Sequence, residues 1–291
     1  MLNILTIDLE DWFHILNHAE TALPEQWEKF EPRLEKNVNR LLDILEENQQ
    51  KASWFCLGWI ADKYPELVKR ISASHHIACH SYSHTLVYTQ SPAAFKEDTL
   101  RAKDKLESIS GKSIDSYRAS GFSVTPQSPW FFDLLLECGF SYDSSVFPTT
   151  RSHGGYPGFG SSIPCIVALA GGRIKEFPMN TSRFFGRDFV FSGGGYFRAL
   201  PYSVISSCFR KSDYVMTYFH PRDFDPTQPR IASLPLKRKI MSYIGLKSSE
   251  NKLRRLLQDY NFVDLPTADK MIAWENAPLI DLKNNIENRI H

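Results

Sequence analysis

Two histidines four residues apart, His80 and His84, have the type and spacing needed to hold one metal ion. On one face of a helical turn their Cβ atoms would lie about 5–6 Å apart. A carboxylate from elsewhere would complete a ligand set that leaves positions open for water and substrate, as catalytic metal sites do. The alternative is two surface histidines in a turn. No glutamate stands between them, so a base must come from outside this segment.

The acidic run Asp8-Leu9-Glu10-Asp11 can supply both the carboxylate ligand and the base. If extended geometry persists, Asp8 and Glu10 project to one face of the strand, and Asp11 turns elsewhere. One carboxylate can then ligate the metal while another takes a proton from water. The alternative is an acid cluster that caps the next helix.

Further polar residues follow other apolar runs. Arg118 can hold the base ionised through a charge-assisted contact, with a surface arginine as the alternative. His220 is the candidate general acid, and we expect Asp143 to orient it and raise its pKa. A structural histidine at a strand end is the alternative for His220.

The elements that must position these residues alternate between short apolar runs and amphipathic helical patterns. This alternation predicts parallel strands joined by helical crossovers, with function at the carboxyl ends of the strands. Predicted strands cover 4–7, 52–57, 76–79, 114–117, 140–142, 215–219 and 262–265. Predicted helices cover 33–49, 59–72, 92–111, 129–138, 234–243 and 249–260.

The alternation stops between about 148 and 201, where glycines and aromatic residues cluster, and we expect a small β insertion there. Motifs spread from Asp8 to His220 must meet at one site. We therefore predict one domain over 1–270 that includes the insertion. The segment 271–291 is predicted to be a C-terminal tail, polar and frayed after about Ala277.

Composition excludes several classes of protein. The chain has 291 residues, 42% hydrophobic, and a formal net charge of +1, which argues against disorder and against nucleic-acid binding. We expect no signal peptide and no membrane span. Five cysteines without a CxxC pair predict free thiols in a reducing compartment. We therefore expect a cytoplasmic protein, with peripheral association at the inner membrane left open.

Together these motifs resemble the NodB-homology polysaccharide deacetylases, carbohydrate esterase family 4, over roughly residues 1–270. The resemblance rests on Thr6-Ile7-Asp8, on His80 to His84, on Tyr117-Arg118 through Gly121-Phe122, on Asp143 and on His220. A subgroup encoded with exopolysaccharide and O-antigen assembly genes is similar in further segments. These are Asp8 to His14, Glu176-Phe177-Pro178, Ser192 to Phe197 and Phe219-His220-Pro221.

The resemblance implies a distorted (β/α)7 barrel that binds one divalent metal, usually Zn²⁺, with Co²⁺ or Ni²⁺ as substitutes. By the same resemblance, Asp8 is the base and His220 the catalytic acid, and His80 and His84 are ligands. Leu9 occupies the position of the family's usual second Asp, so the carboxylate ligand is assigned to Glu10, with Asp11 as the alternative.

The resemblance also implies residues around the substrate. The backbone at Ser120 and Gly121 would hold the oxyanion. The usual fourth-motif tryptophan is missing, and Val146-Phe147 stand nearby. Tyr218 and Phe219 precede the acid, and they are the candidates for the acyl pocket.

The expected function is metal-dependent hydrolysis of the acetamide of an N-acetylated sugar during assembly of bacterial surface polysaccharide. The expected partner is an amino sugar, an oligosaccharide or a lipid- or nucleotide-linked glycan, with no nucleic acid. Two other functions stay open: an allantoinase-like hydrolase of a non-sugar amide, and a metal-free carbohydrate-binding relative. A basic stretch in the late helices would suit a membrane surface. Its members are Lys237, Arg238, Lys239, Lys247, Lys252, Arg254 and Arg255.

Overall fold

The apolar runs form the strands of one main sheet. The structure, a computed structural model, describes residues 1–151, 153–184 and 187–282. Its strands are β1 (Leu2–Ile4), β2 (Thr6–Leu9), β3 (Ser53–Cys56), β4 (His76–Cys79), β5 (Ser116–Tyr117), β6 (Tyr142–Asp143), β7 (Cys165–Leu169), β8 (Gly172–Glu176), β9 (Ser182–Phe184), β10 (Arg187–Phe189), β11 (Tyr214–Met216) and β12 (Leu279–Asp281). The main sheet has the order β12-β7-β8-β6-β5-β4-β3-β2.

Parallel pairing curls this sheet into a barrel. Every neighbouring pair from β2 to β8 is parallel, and β1, which precedes β2 directly, pairs in parallel with β11. A bridge between Ile7 and Phe219 extends this contact. Counting β1 and β2 as one strand, the barrel strands are β1/β2, β3, β4, β5, β6, β8 and β11. The predicted α/β barrel is thus confirmed.

The barrel is distorted where β8 approaches β11. No ladder joins these two strands in the described residues. Instead, the side chain of Asn180 accepts from the N–H of Met216 at 3.0 Å, and the Tyr214 hydroxyl donates to the carbonyl of Pro178 at 2.9 Å. Side chains replace backbone pairing at this gap because β8 ends at Glu176.

Helices pack around the sheet. They are α1 (Pro24–Trp27), α2 (Leu34–Glu47), α3 (Gly58–Lys63), α4 (Pro65–Ser74), α5 (Pro92–Ser110), α6 (Phe131–Glu137), α7 (Gly194–Ala199), α8 (Tyr202–Arg210), α9 (Leu236–Tyr243), α10 (Leu246–Asp259) and α11 (Leu265–Met271). The single helix predicted over 59–72 is two helices. Pro65 starts a new one because it has no N–H to continue the first.

The predicted insertion holds one strand of the barrel. In the segment 148–201, β7 and β8 form an antiparallel hairpin, and β8 also pairs in parallel with β6. The pair β9 and β10 forms a separate small sheet. The many glycines of this segment hide the apolar pattern of β8 in the sequence. Its first residue, Gly172, has a positive φ and lies beside the side chain of Leu136.

The C-terminal part differs from the sequence prediction in two places. The strand expected over 262–265 is a single bridge between Val263 and Ile4, because Asp264 caps helix α11 and Leu265 starts it. The tail expected over 271–291 contains β12, which pairs in parallel with β7 and buries Ile280. Only Ile280 of the three residues of β12 is buried, and so short a stretch is too weak a signal for a strand.

Candidate metal centre and surrounding site

The residues predicted to bind metal or to act in catalysis lie at the carboxyl ends of the barrel strands. Glu10 follows β2, His80 follows β4, Arg118 follows β5, and His220 lies beyond β11. Glu10, His80 and Arg118 are almost entirely buried. The barrel therefore brings residues from four strand ends to one place.

Three of these side chains form a compact cluster. Oε1 of Glu10 lies 3.1 Å from Nε2 of His80 and 2.9 Å from Nε2 of His84. Ligands bound at about 2.0–2.1 Å to one cation are about 3 Å apart, so these separations suit a shared ion. Burial would raise the pKa of Glu10, but His84, His220 and His80 lower it well below its usual value.

The hydrogen bonds of His80 favour a cation in this cluster. Nδ1 of His80 lies 2.8 Å from the carbonyl oxygen of Arg118, to which only a protonated nitrogen can donate. In the neutral ring, Nε2 then carries a lone pair that faces a carboxylate oxygen. Nε2 of His84 is buried 2.9 Å from the same carboxylate oxygen, and within the described residues it makes no contact with hydrogen-bond geometry. A divalent ion between these atoms would satisfy all three, so the donor set fits a metal.

The turn that carries the histidines is irregular. Ser81 and His84 both have positive φ, at 66° and 56°, so the predicted helical turn is wrong. The hydroxyl of Ser81 accepts from the backbone N–H of His84 at 3.2 Å, which closes the turn. Non-glycine residues in this region are strained, and such strain gathers at functional sites.

Asp11, the alternative ligand, faces away from the cluster. Its Oδ2 accepts from the backbone N–H groups of Arg33 at 2.8 Å and Leu34 at 3.1 Å, and its Oδ1 accepts from that of Trp12 at 2.7 Å. The Arg33 and Leu34 donors lie at the start of α2. The structure therefore contradicts Asp11 as a ligand and supports the helix-capping interpretation for this acid.

Asp8 is held by Arg118 as expected from the sequence. Nη1 of Arg118 donates to Oδ1 of Asp8 at 2.6 Å, and Nη2 donates to the Ser144 hydroxyl at 2.8 Å. The guanidinium lies 3.9 Å from the ring centroid of Phe55 and is fully buried. Oδ2 of Asp8 remains on the side of His220, 3.8 Å from its Nε2.

His220 is oriented by Asp223, and the prediction that Asp143 does this is wrong. Oδ2 of Asp223 lies 3.1 Å from Nδ1 of His220 and accepts from its backbone N–H at 2.9 Å. Arg198 lies 3.0 Å from the other oxygen of Asp223. Burial would lower the pKa of His220, but Asp223, Glu10 and Asp8 raise it to about 9.

Asp143 is paired with another buried acid on the neighbouring strand. Its Oδ1 accepts from the Ser145 hydroxyl at 2.6 Å, and its carboxyl group contacts that of Glu176. Burial raises the pKa of both acids, and the charge of Asp143 raises that of Glu176 further, well above its usual value. The hydrogen bonds of Asp143 therefore go to Ser145 and Glu176, and none goes to His220 in the described part of the chain.

The candidate oxyanion residues lie next to the cluster. The Ser120 hydroxyl is 3.0 Å from that of Ser81, and Ser120 is fully buried. Gly121 has a φ of 63°, which glycine adopts without strain. This tight turn places the backbone of both residues beside the histidine turn.

One of the two predicted pocket residues, Tyr218, lies beside His220, with 6.4 Å between the two ring centroids. Tyr218 packs edge-to-face on Phe122 at 5.1 Å and on Phe147 at 6.4 Å between ring centroids. A side chain at Gly193 would overlap the Tyr218 ring, at 1.8 Å. Phe219, in contrast, is a core residue against Phe197, which contradicts its prediction as a pocket residue. Alternation along the strand explains why only one of the pair faces the site.

Sequence reasoning missed His14. The backbone N–H of Asp11 donates to its Nδ1 at 3.0 Å, which fixes the neutral ring with its proton on Nε2. That Nε2 is buried and has no hydrogen-bond partner in the described part of the chain. Burial and the nearby His84 lower the pKa of His14 well below its usual value. The sequence feature that could have identified His14 was its position in the segment Asp8 to His14, which carries the subgroup resemblance.

Comparison with known families agrees with this geometry. Residues 27–130, which include both histidines of the cluster and Arg118, match the family model described as polysaccharide deacetylase. The chain thus contains a polysaccharide deacetylase domain over these residues. Residues 144–270, which include Tyr218 and His220, match a second model described as a domain of unknown function.

Curated and solved relatives of this chain are distant. A peptidoglycan deacetylase from Helicobacter pylori is 27% identical over 113 residues, which are 38% of this chain and 38% of that protein. The match thus spans well under half of that relative. A putative polysaccharide deacetylase structure from Mycobacterium smegmatis has a TM-score of 0.65 at 18% identity, covering 96% of this chain and 92% of that one.

The same fold occurs in an allantoinase. Its structure has a TM-score of 0.58 at 13% identity and covers 92% of this chain and 89% of that one. At such identities the two structural matches show only a common fold. Among the described residues of this chain, no helix has the length and apolar content to cross a bilayer.

Proposed function

We propose that this chain is a metal-dependent N-deacetylase that hydrolyses the acetamide of an N-acetylated sugar. The observation that carries the proposal is the convergence of Glu10, His80 and His84 on one point. Asp8 and His220 stand beside this point with their own fixed partners, Arg118 and Asp223.

A bound divalent cation would polarise the acetamide carbonyl and lower the pKa of a water molecule. Glu10, His80 and His84 would hold it. Asp8 takes the proton of the attacking water through Oδ2, the oxygen not occupied by Arg118. The backbone at Ser120 and Gly121 stabilises the oxyanion.

His220 completes the reaction. Its raised pKa keeps Nε2 protonated at neutral pH, and Nε2 faces the same space as Asp8 and Glu10. It donates this proton to the leaving amine, so the products are acetate and a free amino sugar. Tyr218 and Phe147 form an aromatic wall for the acetyl group, with Phe147 beside the place of the missing tryptophan.

The metal in this proposal is Zn²⁺, with Co²⁺ and Ni²⁺ as substitutes. Two imidazoles and one carboxylate form a donor set that zinc binds in hydrolases. Each family model matches only part of the chain. We nevertheless propose residues 1–270 as one catalytic domain, because residues from Asp8 to His220 build a single site.

The proposed substrate is an N-acetylated amino sugar in bacterial surface polysaccharide assembly, on an oligosaccharide, lipid or nucleotide carrier. Support comes from the segments Asp8 to His14 and Ser192 to Phe197, which resemble the exopolysaccharide and O-antigen subgroup. The proposed compartment is the cytoplasm. Its support is that all five cysteines are buried and free.

Mass spectrometry tests the proposal. The chain is incubated with a panel of nucleotide- and lipid-linked N-acetyl sugars and with a ureide, with and without a chelator. Loss of one acetyl group from a sugar, abolished by the chelator, is the expected result. Turnover of the ureide alone would instead support an allantoinase-like hydrolase, and sugar binding without turnover would support a carbohydrate-binding relative.

A further inference from the structure

Helix α9 exposes a row of apolar side chains. Leu236 and Ile240 in α9, and Ile244 directly after it, follow one another at four-residue spacing and are 75%, 53% and 38% exposed, and Met241 beside them is 38% exposed. No residue of α9 is buried. Such a contiguous apolar face on a surface helix indicates an interaction site.

The charged residues in the sequence around this row are all basic. Between residues 229 and 249 the sequence contains no Asp or Glu. It contains Arg230, Lys237, Arg238, Lys239 and Lys247. The whole chain has a net charge of only +1, so this segment concentrates positive charge in a nearly neutral protein.

An open apolar cavity continues the row. It measures about 500 Å³ and is lined by Ile231, Ala232, Ile240, Tyr243 and Ile244, with Arg230 and Lys239 beside them. Arg230 also lies over the Tyr243 ring, 5.4 Å from its centroid. Basic groups therefore border both the exposed row and the cavity.

This surface lies beside the mouth of the catalytic site. Nη1 of Arg238 donates to the carbonyl of Asn17 at 2.9 Å, and Nη2 donates to that of Leu16 at 2.5 Å. The Ser233 hydroxyl lies 3.2 Å from Nε2 of His18. These partners belong to the loop that follows Glu10.

The end of α9 is also fixed to the catalytic acid. Arg198 donates to the carbonyls of Met241 at 3.0 Å, Ser242 at 3.0 Å and Ile244 at 2.9 Å. The same guanidinium lies 3.0 Å from Asp223, the partner of His220. The exposed row is thus held at a fixed position relative to the site.

We propose that α9 and the adjoining cavity dock the protein on an anionic lipid bilayer. An amphipathic helix with apolar residues on one side and only basic charges around them inserts its apolar side at the level of anionic headgroups. The charge complementarity selects a bilayer over a protein partner, since many protein surfaces carry both signs. Docking would place the barrel mouth next to the membrane, within reach of a lipid-carried glycan.

Co-sedimentation with vesicles tests this proposal on the full chain. Vesicles of phosphatidylcholine with about one third phosphatidylglycerol are compared with phosphatidylcholine alone. We expect binding to the anionic vesicles only, and loss of that binding at high salt. Leu236→Ser/Ile240→Ser and Lys237→Glu/Lys239→Glu should each weaken it about tenfold or more.

Matched controls lie elsewhere on the surface. Met271→Ser removes an apolar side chain that is 61% exposed, and Lys51→Glu/Lys270→Glu makes the same charge change as the lysine pair. Both control variants should bind anionic vesicles like the unchanged protein. Equal binding to neutral vesicles, or unchanged binding by the α9 variants, would overturn the proposal.

A second copy of the chain is the competing occupant. Dimerisation that Leu236→Ser/Ile240→Ser abolishes, without vesicle binding by the unchanged protein, would also overturn the proposal. Vesicle binding needs no turnover, so its outcome is independent of the deacetylase proposal. A chain that binds vesicles but releases no acetate would refute the deacetylase function alone.

Discussion

Arg118 shows how much one buried side chain contributes to this site. It is fully buried, holds Asp8, and accepts the proton of His80 on its backbone carbonyl. A single residue thereby fixes the proposed base and the proposed ligand.

Arg118→Met should destabilise the fold by about 3–5 kcal/mol, because it leaves the carboxylate of Asp8 buried without its partner. Chemical denaturation measures this loss. Combining it with Asp8→Asn should recover much of the stability, since the unpaired charge is then gone. If Arg118→Met unfolds at the same denaturant concentration as the unchanged protein, the pair is not the buried contact described here.

Asp223→Asn should shift the pH dependence of turnover. His220 must be protonated to act as an acid, so its contribution to turnover is present below its raised pKa of about 9 and is lost as the pH rises through that value. Without the charge of Asp223 the pKa falls toward 6.5, and the alkaline limb of kcat moves to lower pH. Asp143→Asn is the control, and its alkaline limb should stay in place. A limb that moves with Asp143 and not with Asp223 would return the orienting role to Asp143.

At the scale of elements, helix α2 depends on an acid that the sequence offers as a ligand. Asp11 accepts from two backbone N–H groups at the start of this helix. Asp11→Ala should therefore cost about 1–2 kcal/mol of stability and leave the metal content unchanged. Thermal unfolding and elemental analysis measure the two effects. Glu10→Gln is the control, which should lose metal, and metal loss in Asp11→Ala would reverse the two assignments.

Site residues at strand ends could be predicted from the sequence where an apolar run stops at a polar residue. His80, Arg118 and His220 all follow such runs, and the barrel brings them together. Asp223 could also have been predicted as the partner of His220, because it stands three residues after His220 and caps its turn. Arg198 was not, because only tertiary packing places α7 beside that turn.

The exact course of the chain in the second half was harder to predict for physical reasons. The barrel strand β8 lies in a glycine-rich segment, and β12 carries one buried apolar residue. Both strands are held by pairing with partners distant in sequence. Local patterns carry little information about such pairing.

At the scale of the whole molecule, the barrel brings together a candidate metal centre from two separate strand ends. Glu10 comes from the first strand and both histidines from the segment after β4. Only the complete barrel brings the three together. Metal binding and catalysis should therefore depend on the same three side chains.

Acetate release as a function of added metal tests this central claim most directly. Chelated protein is titrated with Zn²⁺ in the presence of an N-acetylated sugar that the panel has identified. Activity should return in proportion and level off at about one equivalent, and His84→Ala should show no return. Full acetate release by the chelated protein, or restoration in His84→Ala at one equivalent, would contradict the account.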